Sequence, residues 1–207
     1  MKRKKKMRSS AALVLAALLA VTAAPVRGQE EAGGFRFALE TEGTEETTVS
    51  RTGTVVRFLG GAGRVVIPAA FDGVPVTAVG REAFFEARGV TEVEMPPSIG
   101  RIGEGAFYGC VRLRGLSLPA ALETIEDWTF YGCVRLSRIE IPNSVRAIGK
   151  NAFGWCRSLT LVVIPPSVGV IKAGAFLGCV NLETVRLSRT TLLEENAFPP
   201  GAALIRQ

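Results

Sequence analysis

A single spacing of 23 residues recurs along most of this 207-residue chain and limits what it can fold into. Phenylalanine falls at Phe84, Phe107, Phe130, Phe153 and Phe176 in steps of 23, and at Phe198 after a step of 22. Cysteine falls at Cys110, Cys133, Cys156 and Cys179 in the same step. Proline does so at Pro96, Pro119, Pro142 and Pro165, with Ser188 next in that column. Three residue types in one register mean that one piece of supersecondary structure is being repeated.

One unit runs Leu136, Ile139, Ile141, Pro142, then Val145, Ile148 and Gly149, then Ala152, Phe153 and Cys156; the next repeats the order from Leu159 to Cys179. The alternation of Ile139 and Ile141 predicts a short strand, and Pro142 ends it because proline cannot donate to a ladder. The stretch from Val145 to Cys156 is too short and glycine-containing for a long helix. It predicts a turn plus a short helical or 3₁₀ segment. A 23-residue unit cannot bury its apolar side alone. Parallel stacking at about 4.8 Å per strand places a copy of each Phe, Ile and Leu above and below itself, so the phenylalanine column becomes a ladder inside a solenoid.

The pattern LxxIxIPxxVxxIGxxAFxxC resembles the BspA-type leucine-rich repeats of bacterial surface proteins and some protozoan relatives, over residues 62–205. The entry run Val65-Val66-Ile67-Pro68 is similar to the start of such arrays, with extra residues before Val76. Thr129 replaces the usual Ala, Ala87 stands where a first Cys would be, and the last unit has no Cys. The resemblance implies a leucine-rich-repeat solenoid with a parallel β-sheet on its concave face and turns, 3₁₀ or helical segments on the other side. It also implies ligand contact on the concave sheet, with roles in adhesion or protein–protein interaction at the cell surface.

The regions outside the array read differently. Residues 2–8 are strongly basic and precede an apolar run at 11–24. That run has the length of a signal-peptide core and is short for a membrane span of roughly 20 residues. Residues 1–28 therefore read as a signal peptide, cleaved after Ala23 or Gly28, with an uncleaved anchor as the alternative; the expected location is secreted, cell-surface or periplasmic. Residues 29–61 read as a small N-terminal β cap, because a terminal solenoid unit must meet water on one side. Residues 62–207 form the solenoid. The net charge of +6 belongs to the leader: residues 1–28 hold seven of the 25 basic residues and no acid. The remaining 18 basic and 19 acidic residues balance to −1, so net charge supplies no case for a nucleic-acid partner.

The chain has no histidine, which removes His-based triads, Cys–His pairs and most zinc sites. The four cysteines read as a ladder of buried thiols, with disulfides between neighbouring units or a metal site as alternatives. Gly100-Arg101-Ile102-Gly103-Glu104-Gly105 has the wrong glycine order for a dinucleotide fingerprint. Carboxylates at Glu92, Glu94, Glu123, Glu126 and Asp127 form no distinguished pair. No cofactor, metal or catalytic residue is expected, and the chain does not read as an enzyme. Trp128, Trp155, Tyr108 and Tyr131 read as core or convex packing, with exposed contact anchors as the alternative.

Strand alternation points a strip outward: Arg64 and Val66, Glu92 and Glu94, Gly115 and Ser117, Arg138 and Glu140, Leu161 and Val163, Thr184 and Arg186. The exposed apolar pair Leu161 and Val163 makes this strip the candidate contact surface. The expected partner is an extracellular-matrix or cell-surface protein, or a glycan, without stable membrane insertion after leader cleavage. A self-assembling envelope component is the alternative, and a surface-polymer hydrolase a more distant one.

Overall fold

The computed structural model describes residues 28–42 and 50–207; residues 1–27, where a signal peptide is expected, and 43–49, with the polar break, lie outside the described residues. Of the first three strands, β1 (Gly28–Ala32), β2 (Phe35–Glu42) and β3 (Ser50–Phe58), the central β2 pairs antiparallel with β1 and with β3. β4 (Gly63–Val66) follows, then a hairpin of β5 (Ala70–Phe71) and β6 (Val74–Val79). Asp72 and Gly73 join the hairpin with φ of 48° and 71°. Two positive φ values in a two-residue loop match the twist of antiparallel strands, which is why Asp-Gly is favoured there. This hairpin accounts for the extra residues before Val76. β6 then pairs with β3 in parallel, joining the first three strands to the array.

The later units supply strands to two parallel layers, except that the unit opening at Leu136 gives none to the first. The first layer holds β4, then β7 (Val90–Glu94) and β9 (Gly115–Leu116). After an interruption it resumes with β12 (Leu161–Val163), β14 (Thr184–Leu187) and β16 (Ala203–Arg206). The second layer runs from β6 to β8 (Arg101–Ile102). After a break between β8 and β10, which share no ladder, it resumes with β10 (Thr124–Ile125), β11 (Ala147–Ile148), β13 (Val170–Ile171) and β15 (Leu192–Leu193). The register sets like against like: Ile148 opposes Ile171 and Val162 opposes Val185.

Among the described residues the side opposite the first layer contains turns and no helix, where a short helical or 3₁₀ segment was an expected component. The reason lies in two left-handed positions per unit. One column holds Glu82, Gly105, Trp128, Asn151, Gly174 and Asn196; the other holds Glu86, Gly109, Gly132, Trp155 and Gly178. A left-handed residue every fourth position stops helical propagation. The backbone then bonds between units: Phe107 donates to Thr129 at 2.8 Å, Phe130 to Ala152 at 2.7 Å and Phe153 to Ala175 at 2.7 Å.

Those bonds aim the phenylalanines inward. Phe84, Phe107, Phe130, Phe153 and Phe176 are fully buried. Their rings stack at centroid separations of 4.9, 5.4, 5.2 and 5.0 Å, with interplanar angles of 22° or less. Near-parallel rings at that distance are offset, the favourable arrangement for aromatic quadrupoles. The ladder continues to Phe58 on β3 and to Phe198, each at 5.0 Å.

Candidate functional site

The strip expected from alternation is found on the first layer. Val65, Val93, Ile139, Val162 and Val185 point inward and are buried. Arg64, Val66, Glu92, Glu94, Ser117, Arg138, Glu140, Leu161, Val163 and Arg186 are exposed, while Gly115 and Thr184 are half-buried. Pairing places Arg64 opposite Glu92, Val66 opposite Glu94, Leu161 opposite Thr184 and Val163 opposite Arg186. Arg64 forms an ion pair with Glu94, and Arg138 pairs with Glu140 at 2.8 Å. These pairs are open to solvent and contribute little to stability. They do partly neutralise the charged half of the strip.

The strip is not one continuous ladder. Residues 138–141 make no backbone hydrogen bond to 115–118 on one side or 161–164 on the other, among the described residues. Residue by residue the unit looks like its neighbours, so alternation could not reveal this interruption. A groove flanks the unpaired segment on each side. The groove of about 770 Å³ is lined by Glu92, Glu94, Arg114, Ser117, Arg138 and Glu140. The groove of about 1060 Å³ is lined by Arg138, Glu140, Leu161, Val163, Arg186 and Ser188, among others. Leu161 is 45% exposed and Val163 51%, so the second groove has an apolar floor with charged walls. The unpaired N–H and C=O groups of 138–141 are available to water or a partner.

Trp128, Trp155, Tyr108 and Tyr131, read mainly as packing, stand partly exposed on the turn side, and Trp155 is 40% exposed. Phe85, Tyr108 and Tyr131 stack in a second ladder at 5.1 and 5.0 Å. Trp128 and Trp155 sit at φ of 60° each, in the two columns that other units fill mostly with glycine or asparagine. A tryptophan in a glycine column is the sequence signal that would have found them.

The cysteines are four free, buried thiols. Each donates to the carbonyl of a phenylalanine 26 residues earlier: Cys110 to Phe84 and Cys133 to Phe107 at 3.2 Å, Cys156 to Phe130 at 3.1 Å, Cys179 to Phe153 at 3.0 Å. Burial pushes the thiols of Cys110 and Cys179 up to about 12 from an ordinary value of 9.0. Burial and the neighbouring thiols raise Cys133 and Cys156 well above it. Such thiols are poor nucleophiles and poor metal ligands. Among the described residues no three Cys, Asp or Glu side chains converge as a metal site, and no helix is long and apolar enough to cross a membrane.

Several solved structures share this architecture. A leucine-rich repeat protein of T. pallidum is 32% identical, with 82% of each chain covered and a TM-score of 0.66. One from Bacteroides ovatus is 24% identical over 80% of this chain and 53% of its own, with a TM-score of 0.53. The pneumococcal vaccine antigen PcpA is 23% identical over 87% of this chain and 49% of its own, with a TM-score of 0.66. The last two are likenesses of fold alone. No curated protein matches the sequence. The model of the BspA type leucine-rich repeat region matches residues 77–201 with 6 copies. With that span and the solenoid that carries it, the chain belongs to the BspA-type leucine-rich repeat family.

Proposed function

We propose that this chain is an exported binding module that holds a protein partner along the first-layer strip, centred on the groove beside Leu161 and Val163. One observation carries the reading. Two exposed aliphatic side chains lie in a groove walled by Arg138, Glu140 and Arg186, next to a backbone segment with unpaired hydrogen-bonding groups. An apolar centre within a polar rim is the usual anatomy of a protein contact. An extended segment of the partner could also pair with the free backbone groups at 138–141. The basic and apolar leader supports export, with adhesion at the cell surface as the role. In this reading residues 29–61 cap the array, residues 62–207 present the strip, and no catalytic step is involved.

Changing Leu161 and Val163 together to Glu tests it. Extracellular-matrix or envelope proteins captured by the parent chain are expected to be lost by the variant, with an unchanged circular dichroism spectrum. Equal capture by both would remove this groove from consideration. End-to-end assembly is a second reading, favoured by the exposed Leu204 and Ile205 on β16, the last strand of its sheet. Light scattering that shows only monomer at high concentration would end it.

A further inference from the structure

The nearly even charge balance of residues 29–207 hides a segregation that the fold creates. Between each Cys and the next Leu the chain makes a tight turn, as in Leu113 donating to the Cys110 carbonyl at 3.0 Å. That turn displays outward side chains on the edge between the aromatic turn column and the first-layer strip. Arg112, Arg135 and Arg157 lie in this turn, Arg88 in the equivalent turn after Ala87, and Arg114 just past Leu113 at the border of the strip; all are exposed. Glu86 pairs with Arg88 at 3.1 Å, and Glu183 lies at the far end of the ridge. Among the described residues Arg112, Arg114, Arg135 and Arg157 have no carboxylate within ion-pair distance. The opposite edge carries the acids: Glu82, Glu104, Glu126, Asp127, Glu194 and Glu195. Cations there are neutralised locally, Arg81 by Glu104 at 3.2 Å and Lys172 by Asp127 at 3.6 Å.

One of these unpaired arginines contacts the aromatic column directly. The Arg157 guanidinium lies 4.9 Å from the centre of the Trp155 ring. Trp155 in turn lies across the next unit: a Cβ on Gly178 would come within 2.8 Å of the indole. It holds this place in a left-handed conformation that glycine adopts freely at Gly109, Gly132 and Gly178 in the same column. A bulky residue kept in strained backbone on an exposed face, where the same column elsewhere holds glycine, is a reason to look for a ligand there. Repetition makes the arrangement linear, since successive units stand about 5 Å apart, as the tyrosine rings do.

We infer that this edge is a second binding site, for an anionic polysaccharide. A polymer bearing sulfate or carboxylate groups along its length matches arginines carried by successive units, Arg112 and Arg135 at one repeat position and Arg157 one position earlier in its unit, and guanidinium forks bind both groups. The apolar faces of sugar rings fit against Trp155 and the stacked Tyr108 and Tyr131, as aromatic side chains offer a broad apolar surface with a polar edge. The ridge is separate from the groove at Leu161 and Val163, and the inference does not depend on that groove.

Affinity of the full chain for dextran sulfate, polygalacturonate, neutral dextran and duplex DNA, measured by calorimetry at two salt concentrations, tests the assignment. At least one anionic polysaccharide is expected to bind about tenfold or more tighter than neutral dextran, weakening with salt. The sulfate and uronate arms tell which group is preferred. Replacing Arg112, Arg135 and Arg157 with Ser is expected to reduce that affinity by about tenfold or more. The same change at Arg81, Lys150 and Lys172 removes equal charge from the opposite edge and is expected to leave it within about twofold. Trp155→Gly, which keeps the left-handed turn, is expected to cost about threefold or more. The Leu161 and Val163 double variant should bind normally, so loss of the protein partner and loss of the polysaccharide are read independently. Equal loss in the two triple variants, tighter binding to DNA than to either polysaccharide, or no preference over neutral dextran would overturn the inference. Unchanged affinity in Trp155→Gly with intact folding would overturn the aromatic part of it.

Discussion

The phenylalanine carbonyl is where the repeat's chemistry meets its geometry. Each such carbonyl takes the N–H of the residue three positions on, a cysteine in all but the first unit (Ala87 to Phe84), as in Cys133 to Phe130 at 3.2 Å. It also takes the thiol of the following unit's cysteine, as in Cys156 to Phe130 at 3.1 Å. The cysteine column thus satisfies the second lone pair of an otherwise half-used buried acceptor, and this accounts for a small apolar residue with a weak donor. The raised thiol values make a prediction with a definite sign. In the unfolded chain the thiols lose their protons near the ordinary value of 9.0, while in the folded chain Cys110 and Cys179 keep theirs to about 12 and Cys133 and Cys156 are likewise held well above the ordinary value. Their contribution is fully present below pH 9.0 and is lost as pH rises from 9.0 toward 12. Urea unfolding across that window should show stability falling by up to about 1.4 kcal/mol per pH unit for each thiol. The slope should be shallower in Cys133→Ala/Cys156→Ala. Thiol alkylation at pH 8 should be negligible in the native protein and complete in urea; rapid native labelling would contradict the buried ladder.

Among the elements, strands and turns differ in how much the chain pattern announced. Strand sites and inward faces could be read from alternation, as Val162 between Leu161 and Val163 illustrates. The turn conformation was legible only by comparing units, because Glu82, Trp128 and Trp155 occupy left-handed positions that their own side-chain type does not advertise and only the glycines in the same columns do. Their conformation follows from backbone bonds to the next unit, which is a non-local cause. The close approach of neighbouring units at this level is tested by glycine substitution. At Gly149 a Cβ would lie 2.5 Å from the Asp127 backbone nitrogen, whereas at Gly100 it would meet nothing within 4 Å. Gly149→Ala should therefore lower stability by about 1–3 kcal/mol, and Gly100→Ala should stay within about 0.5 kcal/mol. Equal denaturation midpoints for the two would show that the units separate easily. The broken ladder at residues 138–141 belongs to this scale as well. Its neighbours on both sides keep partners, since β9 pairs with β7 and β12 with β14.

For the whole molecule, stability is a sum over units and their interfaces, so position along the stack matters. Phe130 stacks on Phe107 at 5.4 Å and on Phe153 at 5.2 Å, while Phe198 has a ladder contact to Phe176 and remains partly exposed. Phe130→Ala should cost about 3–5 kcal/mol. Phe198→Ala should cost clearly less, with faster amide exchange confined to the last units. Equal losses would mean that the array unfolds without regard to position. Charge is also a property of this scale. Residues 29–207 are nearly balanced by count. Stacking sorts them into an arginine edge and an acidic edge, each with its own potential.

The sequence alone determined the repeat, and with it the solenoid, the phenylalanine ladder, the cysteine column and the outward strip, while leaving open whether the cysteines pair. All of these follow from burying one apolar pattern against copies of itself, and the pattern is local and periodic. Tertiary structure alone decided where the ladder breaks, which residues besides glycine adopt left-handed turns, and which charges stand together. Those depend on spacing and hydrogen bonds between residues a full unit apart. Two neighbouring units with the same pattern can therefore differ there, as the unpaired backbone of 138–141 and the strained Trp155 do.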